Sequence, residues 1–169
     1  LDKQKRQLIV TEEKLTYPLS IEGTDILFTG KIDRSDKITG SEAVRIIDYK
    51  TGSVIQKDLT LKEWNDLITK PDKAKTFQLL FYAFLFSKTH ENIQDFEAGI
   101  YSLRKLSQGF ISLKLPEGIS LTESLIIFEE KLSSLILNIL DPEEKFIRTE
   151  DSDQCEFCDF KNICNRQFL

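Results

Sequence analysis

Two short segments limit the folds open to this chain: Gly30-Lys31-Ile32-Asp33, and Ile47-Asp48-Tyr49-Lys50-Thr51-Gly52, whose Asp48 follows Asp33 by fifteen positions. Each is an apolar, β-prone run ending in acidic or basic residues. Strands are expected over Ile26–Arg34 and Val44–Lys50, joined by a polar Ser35–Ala43 connection as a hairpin with a long tip. On a strand, residues two apart point the same way, so Asp48 and Lys50 share a face while Tyr49 faces the other and leaves its carbonyl beside them. If the two strands pair, Asp33 comes to lie next to Asp48. Asp33, Asp48 and the Tyr49 carbonyl then make an all-oxygen site suited to Mg²⁺ or Mn²⁺. Such a metal polarises a phosphoryl oxygen and acidifies a bound water, with the Lys50 ammonium orienting that water or stabilising charge on the phosphorane. The simpler alternative is that Asp33 caps a turn with Arg34 and Ser35, while Asp48 and Lys50 form a solvated charge pair on an edge strand.

Elsewhere the patterning supports an α/β fold. Leu15, Tyr17, Leu19 and Ile21 alternate with polar residues, giving a half-buried strand over Lys14–Ile21. The lysine-bearing segment from Thr51 to about Asp72 reads as a mobile connection with a short helix around Trp64, Leu67 and Ile68, broken by Pro71. Phe77, Leu80, Phe81, Phe84 and Leu85 define a core helix over 74–88. Phe96–Leu103 and Gly109–Leu115 read as two further strands. Ser120 and Glu123 form a capping-box pattern ahead of a long amphipathic helix that ends at Asp141-Pro142. With 40% apolar residues and twelve Phe, 169 residues suffice for one ordinary core. The chain is expected to be a single domain with a cysteine-bearing tail over 143–169. The first residue is Leu and nothing near it looks like a signal peptide, so a fragment of a longer protein is expected. No apolar run reaches the roughly 20 residues that cross a bilayer, which points to a cytoplasmic protein that does not engage membranes.

Three groups of residues, in order along the chain, resemble the PD-(D/E)xK nuclease superfamily: Gly30 to Arg34, Ile46 to Gly52, and Gln78-Leu79-Leu80-Phe81-Tyr82. Within it they look most like RecB-type and AddB-type nuclease domains. The resemblance implies a restriction-endonuclease-like fold, a central mixed sheet flanked by helices with the active site where the hairpin strands diverge. It implies metal-dependent hydrolysis of DNA leaving 5′ phosphates, in a helicase-nuclease that acts in double-strand-break repair. Gln78 and Tyr82, four apart and so on one helical face, are then the residues that orient the site and contact the DNA backbone; otherwise they are the polar edge of a core helix. The family's upstream acid falls at Glu12, with Glu13 the alternative by strand register. The only histidine, His90, reads as an exposed helix-end residue.

Net charge is −5, from 28 acids against 23 bases, the wrong sign for a module that binds nucleic acid by electrostatics alone. Carboxylates gathered to hold cations are compatible with that balance, and the rival to an enzyme is a catalytically silent DNA-binding scaffold. All three cysteines lie in the last fifteen residues, unlike a secreted disulfide framework. Cys155, Cys158 and Cys164 resemble the C-terminal triplet by which AddB-like nucleases bind a 4Fe-4S cluster; the fourth, upstream cysteine of that family is absent here. Zinc or unligated thiols are the alternatives, three thiolates falling short of zinc's usual four ligands.

Overall fold

The computed structural model describes residues 5–93, 95–145, 147–150, 155–156 and 158–165. Five strands, β1 (Arg6–Ile21), β2 (Thr24–Ile38), β3 (Val44–Lys50), β4 (Phe96–Ser102) and β5 (Phe110–Ser112), form one sheet in that order. Neighbours run antiparallel except β3 and β4, which are parallel. The sheet is therefore mixed, and its parallel pair requires a long crossover. That crossover carries the short helix α1 (Asp66–Thr69) and the core helix α2 (Ala74–Thr89). The helix α3 (Leu121–Leu140) follows β5.

Burial explains the placement of each element. Central β3 is buried at Val44, Arg45, Ile46, Ile47 and Asp48, as expected of a strand with neighbours on both edges and a parallel partner. On α2, Leu79, Leu80, Ala83, Phe84, Leu85 and Phe86 are fully buried. The Phe84 ring meets Tyr17 of β1 edge-on at 6.0 Å, and Phe81 meets Phe28 of β2 at 5.9 Å. Phe128 of α3 packs on α2 through Phe77 at 5.3 Å and Phe84 at 6.0 Å. Burying each such ring stabilises the fold by roughly 1.5–3 kcal/mol. The α3 capping box forms as the sequence indicates: Ser120 Oγ accepts from Glu123 N–H, while the Glu123 carboxylate accepts from Ser120 N–H at 2.9 Å. These bonds to Ser120 hold the Glu123 carboxyl below its ordinary pKa.

The structure corrects three boundaries. First, β1 begins at Arg6 rather than Lys14, because residues with no apolar alternation are held by backbone pairing alone, Arg6 opposite Ile38 and Gln7 opposite Lys37. Second, the Ser35–Ala43 connection is shorter than expected. Residues to Ile38 continue β2, and Ser35 and Asp36 are fully buried, which a polar loop assignment does not allow. Asp36 tolerates burial because Arg45 Nε donates to it at 2.8 Å from the opposing strand. Third, the strand expected over Gly109–Leu115 shrinks to Phe110–Ser112, preceded by a 3₁₀ turn over Leu103–Gln108 that Gly109 ends with φ +68°, a backbone region that favours glycine.

The crossover is anchored, in contrast to the mobile connection expected. Val54, Leu59, Leu61 and Leu67 are buried, Leu61 N–H donates to the Lys114 carbonyl at 2.8 Å, and Lys114 N–H donates to that of Leu59 at 2.8 Å. The chain divides into two compact units, Leu1–Ile136 and Leu137–Leu169. Every motif on β2, β3 and α2 falls in the first unit and the three cysteines in the second, so the tail expected from 143 is part of a unit that starts at Leu137.

Candidate active site

The antiparallel ladder between β2 and β3 runs from Lys37 opposite Val44 to Arg34 opposite Ile47, and stops there. The next rung would set Asp33 opposite Asp48. Instead the strands part, and the Asp33 side chain occupies the gap, its Oδ2 accepting from the Tyr49 backbone N–H at 2.8 Å. On a strand the N–H and C=O of one residue lie along the same edge, so the Tyr49 carbonyl opens toward the same gap. The sequence motifs thus meet where the hairpin strands diverge. Asp33 does not cap a turn, and β3 is not an edge strand.

Asp48 is 3% exposed. Its burial raises the carboxyl pKa above the ordinary value, an effect that Lys50 offsets and nearby Asp33 reinforces. The Lys50 ammonium lies 2.9 Å from Asp48 Oδ2 and 3.3 Å from Oδ1. Only the Oδ1 contact has hydrogen-bond alignment, so buried Oδ2 keeps acceptor capacity that no donor of the protein uses. Lys50 also donates to Gln78 Oε1 on α2 at 2.7 Å, and Gln78 Nε2 donates to the Tyr82 hydroxyl at 2.9 Å. A continuous polar chain therefore runs Asp48, Lys50, Gln78, Tyr82, with each residue fixed by the next. Gln78 and Tyr82 are more than the polar edge of a helix.

Gly30 sets the distance between β2 and α2. A methyl group at that position would lie 2.8 Å from the Leu85 side chain and 3.3 Å from the Tyr82 ring, so a residue without Cβ lets α2 bring Tyr82 and Gln78 down to the sheet. The open groove between the two elements is lined by Lys31, Lys50, Lys75, Phe77, Gln78 and Tyr82, among others. Three lysines make it locally basic in an acidic chain. Lys75 was not singled out by sequence reading, although its position three residues before Gln78 puts both on one face of α2.

The upstream acids are placed less centrally. Glu12 is exposed and ion-paired with Lys31, whose ammonium it holds above the ordinary lysine pKa through a side-chain hydrogen bond. It adopts φ +56°, an uncommon conformation for a residue with a side chain, at the β1 position facing Asp33. Glu13 reaches the other end of α2, where its Oε1 lies 3.4 Å from His90 Nε2. His90 does end the helix, but it is half-buried rather than exposed, stacked on Phe86 at 4.1 Å.

Asp33, Asp48 and the Tyr49 carbonyl fit a hard divalent cation by donor type, and the unused Asp48 Oδ2 is an acceptor of the kind such an ion takes up. The set is two carboxylates and a carbonyl: among the described residues no three His, Cys, Asp or Glu side chains are gathered to hold a metal. That also describes the cysteines. Cys155 is buried, Cys158 and Cys164 half-buried, none is in a disulfide, and the Cys158 N–H donates to the Cys155 carbonyl at 3.2 Å in a turn. No helix of the described residues is long and apolar enough to cross a membrane.

Comparison with known proteins supports the same motifs. The model of the PD-(D/E)XK nuclease superfamily matches residues 2–165. No curated protein matches the chain. The solved structure of SSO0001 is similar to it at 15% identity with a TM-score of 0.43, over 95% of this chain and 61% of that one. The chain thus spans 61% of the length of that protein.

Proposed function

The chain belongs to the PD-(D/E)XK nuclease superfamily, and from that membership we propose that it is a Mg²⁺- or Mn²⁺-dependent deoxyribonuclease that hydrolyses phosphodiesters to 5′ phosphates and 3′ hydroxyls. The observation that carries this reading is the convergence of Asp33, Asp48, Lys50, Gln78 and Tyr82 at the point where β2 and β3 part. Asp33, Asp48 and the Tyr49 carbonyl would hold the cation, which when bound supplies Lewis acidity at the phosphoryl oxygen and lowers the pKa of water. Lys50 stabilises the negative charge that develops on the phosphorus oxygens, and can do so without reorganising because Asp48 and Gln78 already fix its ammonium. Gln78 orients Lys50, and Tyr82 meets the DNA backbone alongside Lys31 and Lys75 in the basic groove. Glu12 is the third acid of the site, released for that purpose from its exposed pair with Lys31.

The finer reading is a RecB- or AddB-like exonuclease, cytoplasmic, working with a helicase subunit or domain in break repair. What supports it is the Gln78 and Tyr82 spacing after the D-x-K strand and the order of the motifs. For the iron–sulfur centre the support is spacing alone. The three cysteines of this sequence are one thiolate short of the cluster's ligand set, so a cluster would draw its fourth ligand from outside these 169 residues, and no step of the reaction runs through it. Iron and acid-labile sulfide analysis of the anaerobically purified full-length protein tests that assignment.

The catalytic reading is tested by incubating the full-length protein with end-labelled linear DNA and with covalently closed circular DNA, each with Mg²⁺, Mn²⁺ or chelator. Metal-dependent loss of the linear substrate with the circle intact is expected, and marks an exonuclease. Cleavage of the circle makes it an endonuclease. Binding of DNA without cleavage under either metal overturns the enzyme and leaves a scaffold.

A further inference from the structure

Behind the proposed metal site lies a buried ionic cluster that catalysis does not use. Asp36 is fully buried on β2 and faces Arg45 on β3, its register partner. Arg45 Nη2 lies 2.6 Å from Asp36 Oδ1, and Arg34 Nη2 lies 2.5 Å from Asp36 Oδ2. One carboxylate thus serves two guanidiniums. Arg45 is 3% exposed and covers the Phe110 ring at 5.1 Å, so it cannot turn elsewhere. Arg34 is freer: its side chain is 25% exposed, and beyond Asp36 it reaches the Tyr49 hydroxyl at 3.4 Å.

Arg34 immediately follows Asp33 in the chain. A guanidinium seeks a carboxylate in a bidentate geometry and never gives up its proton. Released from Asp36, it has Asp33 as an adjacent acceptor, and an Asp33 neutralised by arginine is a poor ligand for a cation. We propose that Asp36 is a positioning residue that holds Arg34 on the far side of the ladder, leaving Asp33 on the Tyr49 N–H and free to bind a divalent ion. The inference rests on the metal site proposed above. It separates two roles for Asp36: a clamp on the last rungs of the β2–β3 ladder, and a trap for Arg34.

Mn²⁺ binding, measured by titration calorimetry and by electron paramagnetic resonance on the full-length protein, distinguishes them without any turnover. Two double variants each remove Asp36 and one arginine: Asp36→Asn with Arg45→Gln leaves Arg34 released, and Asp36→Asn with Arg34→Gln leaves none beside Asp33. The first should bind Mn²⁺ about tenfold or more weakly, the range seen when a group behind a metal ligand is lost. The second should stay within about twofold of the parent, since its neighbouring cation is gone. Should either fail to fold by circular dichroism, the single variants carry the comparison, with Asp36→Asn weak and Arg34→Gln unchanged. Equal affinities in the two double variants, or a weak second one, overturn the trap. A parent that binds no Mn²⁺ removes the metal site itself, and with it the ground for this proposal.

Discussion

Asp48 is the residue on which burial and function pull in opposite directions. It is almost fully buried and carries a raised pKa because desolvation disfavours its charged form, yet a metal ligand must be ionised. A carboxyl whose folded pKa exceeds its unfolded value stabilises the fold below the unfolded pKa, and that contribution is lost as pH rises through the folded pKa. In metal-free protein, Asp48→Asn is therefore expected to be more stable than the parent at neutral pH, with the advantage vanishing in acid below the ordinary carboxylate range. Urea denaturation at several pH values in chelator reads this directly. A variant less stable than the parent at neutral pH contradicts the account. These residue identities were legible in the sequence, because D-x-K on a strand fixes the shared face of Asp48 and Lys50 by pleat alone. Asp36 was not. An aspartate within a polar run reads as loop, and only the pairing with Arg45 across the ladder, sixteen-odd side chains into the hairpin's fold-back, makes its burial tolerable.

At the scale of elements, two glycines fix how closely the layers approach. A Cβ at Gly30 would press on the end of the Leu85 side chain at 2.8 Å, whereas one at Gly99 would meet the Ile111 backbone oxygen and the Phe110 ring at 2.5 Å. Side-chain ends can yield and backbone cannot. Gly30→Ala is expected to cost about 1–3 kcal/mol, the usual penalty of overpacking, and to loosen Tyr82; Gly99→Ala should cost more, because β5 must shift. Chemical denaturation orders the two, and the reverse order is the contrary result. Ser120→Ala removes one half of the α3 capping box and should cost about 1 kcal/mol in the same assay. The helices were readable from sequence because apolar periodicity and caps are local signals. The start of β1 and the end of β2 were not, since their pairing is backbone to backbone and leaves no trace in hydropathy. The anchoring of the crossover depends likewise on a contact with Lys114, far along the chain.

For the molecule as a whole, an acidic chain presents a basic groove. Lys31, Lys50 and Lys75 line the space beside the site while the net charge is −5. Overall charge therefore understates the local attraction for a phosphate backbone. DNA affinity should fall with rising salt, and Lys75→Ala should weaken binding and flatten that salt dependence, as removal of about one phosphate contact does. An unchanged slope would place the DNA elsewhere. The mixed sheet and the motif order were accessible from the sequence. The groove was not, because it needs α2 seated on Gly30.

The central claim is that Asp33, Asp48 and Lys50 together cut phosphodiester bonds with a divalent cation. Single-turnover cleavage of end-labelled linear DNA by the full-length protein and its Lys50→Ala variant, in Mn²⁺ and in chelator, tests it most directly. The Lys50 side chain is 30% exposed, so the variant should fold normally by circular dichroism. The account predicts metal-dependent cleavage by the parent, slowed about 10²-fold or more in the variant, as when a group that stabilises transition-state charge is removed. A folded Lys50→Ala protein that cleaves as fast as its parent would contradict it.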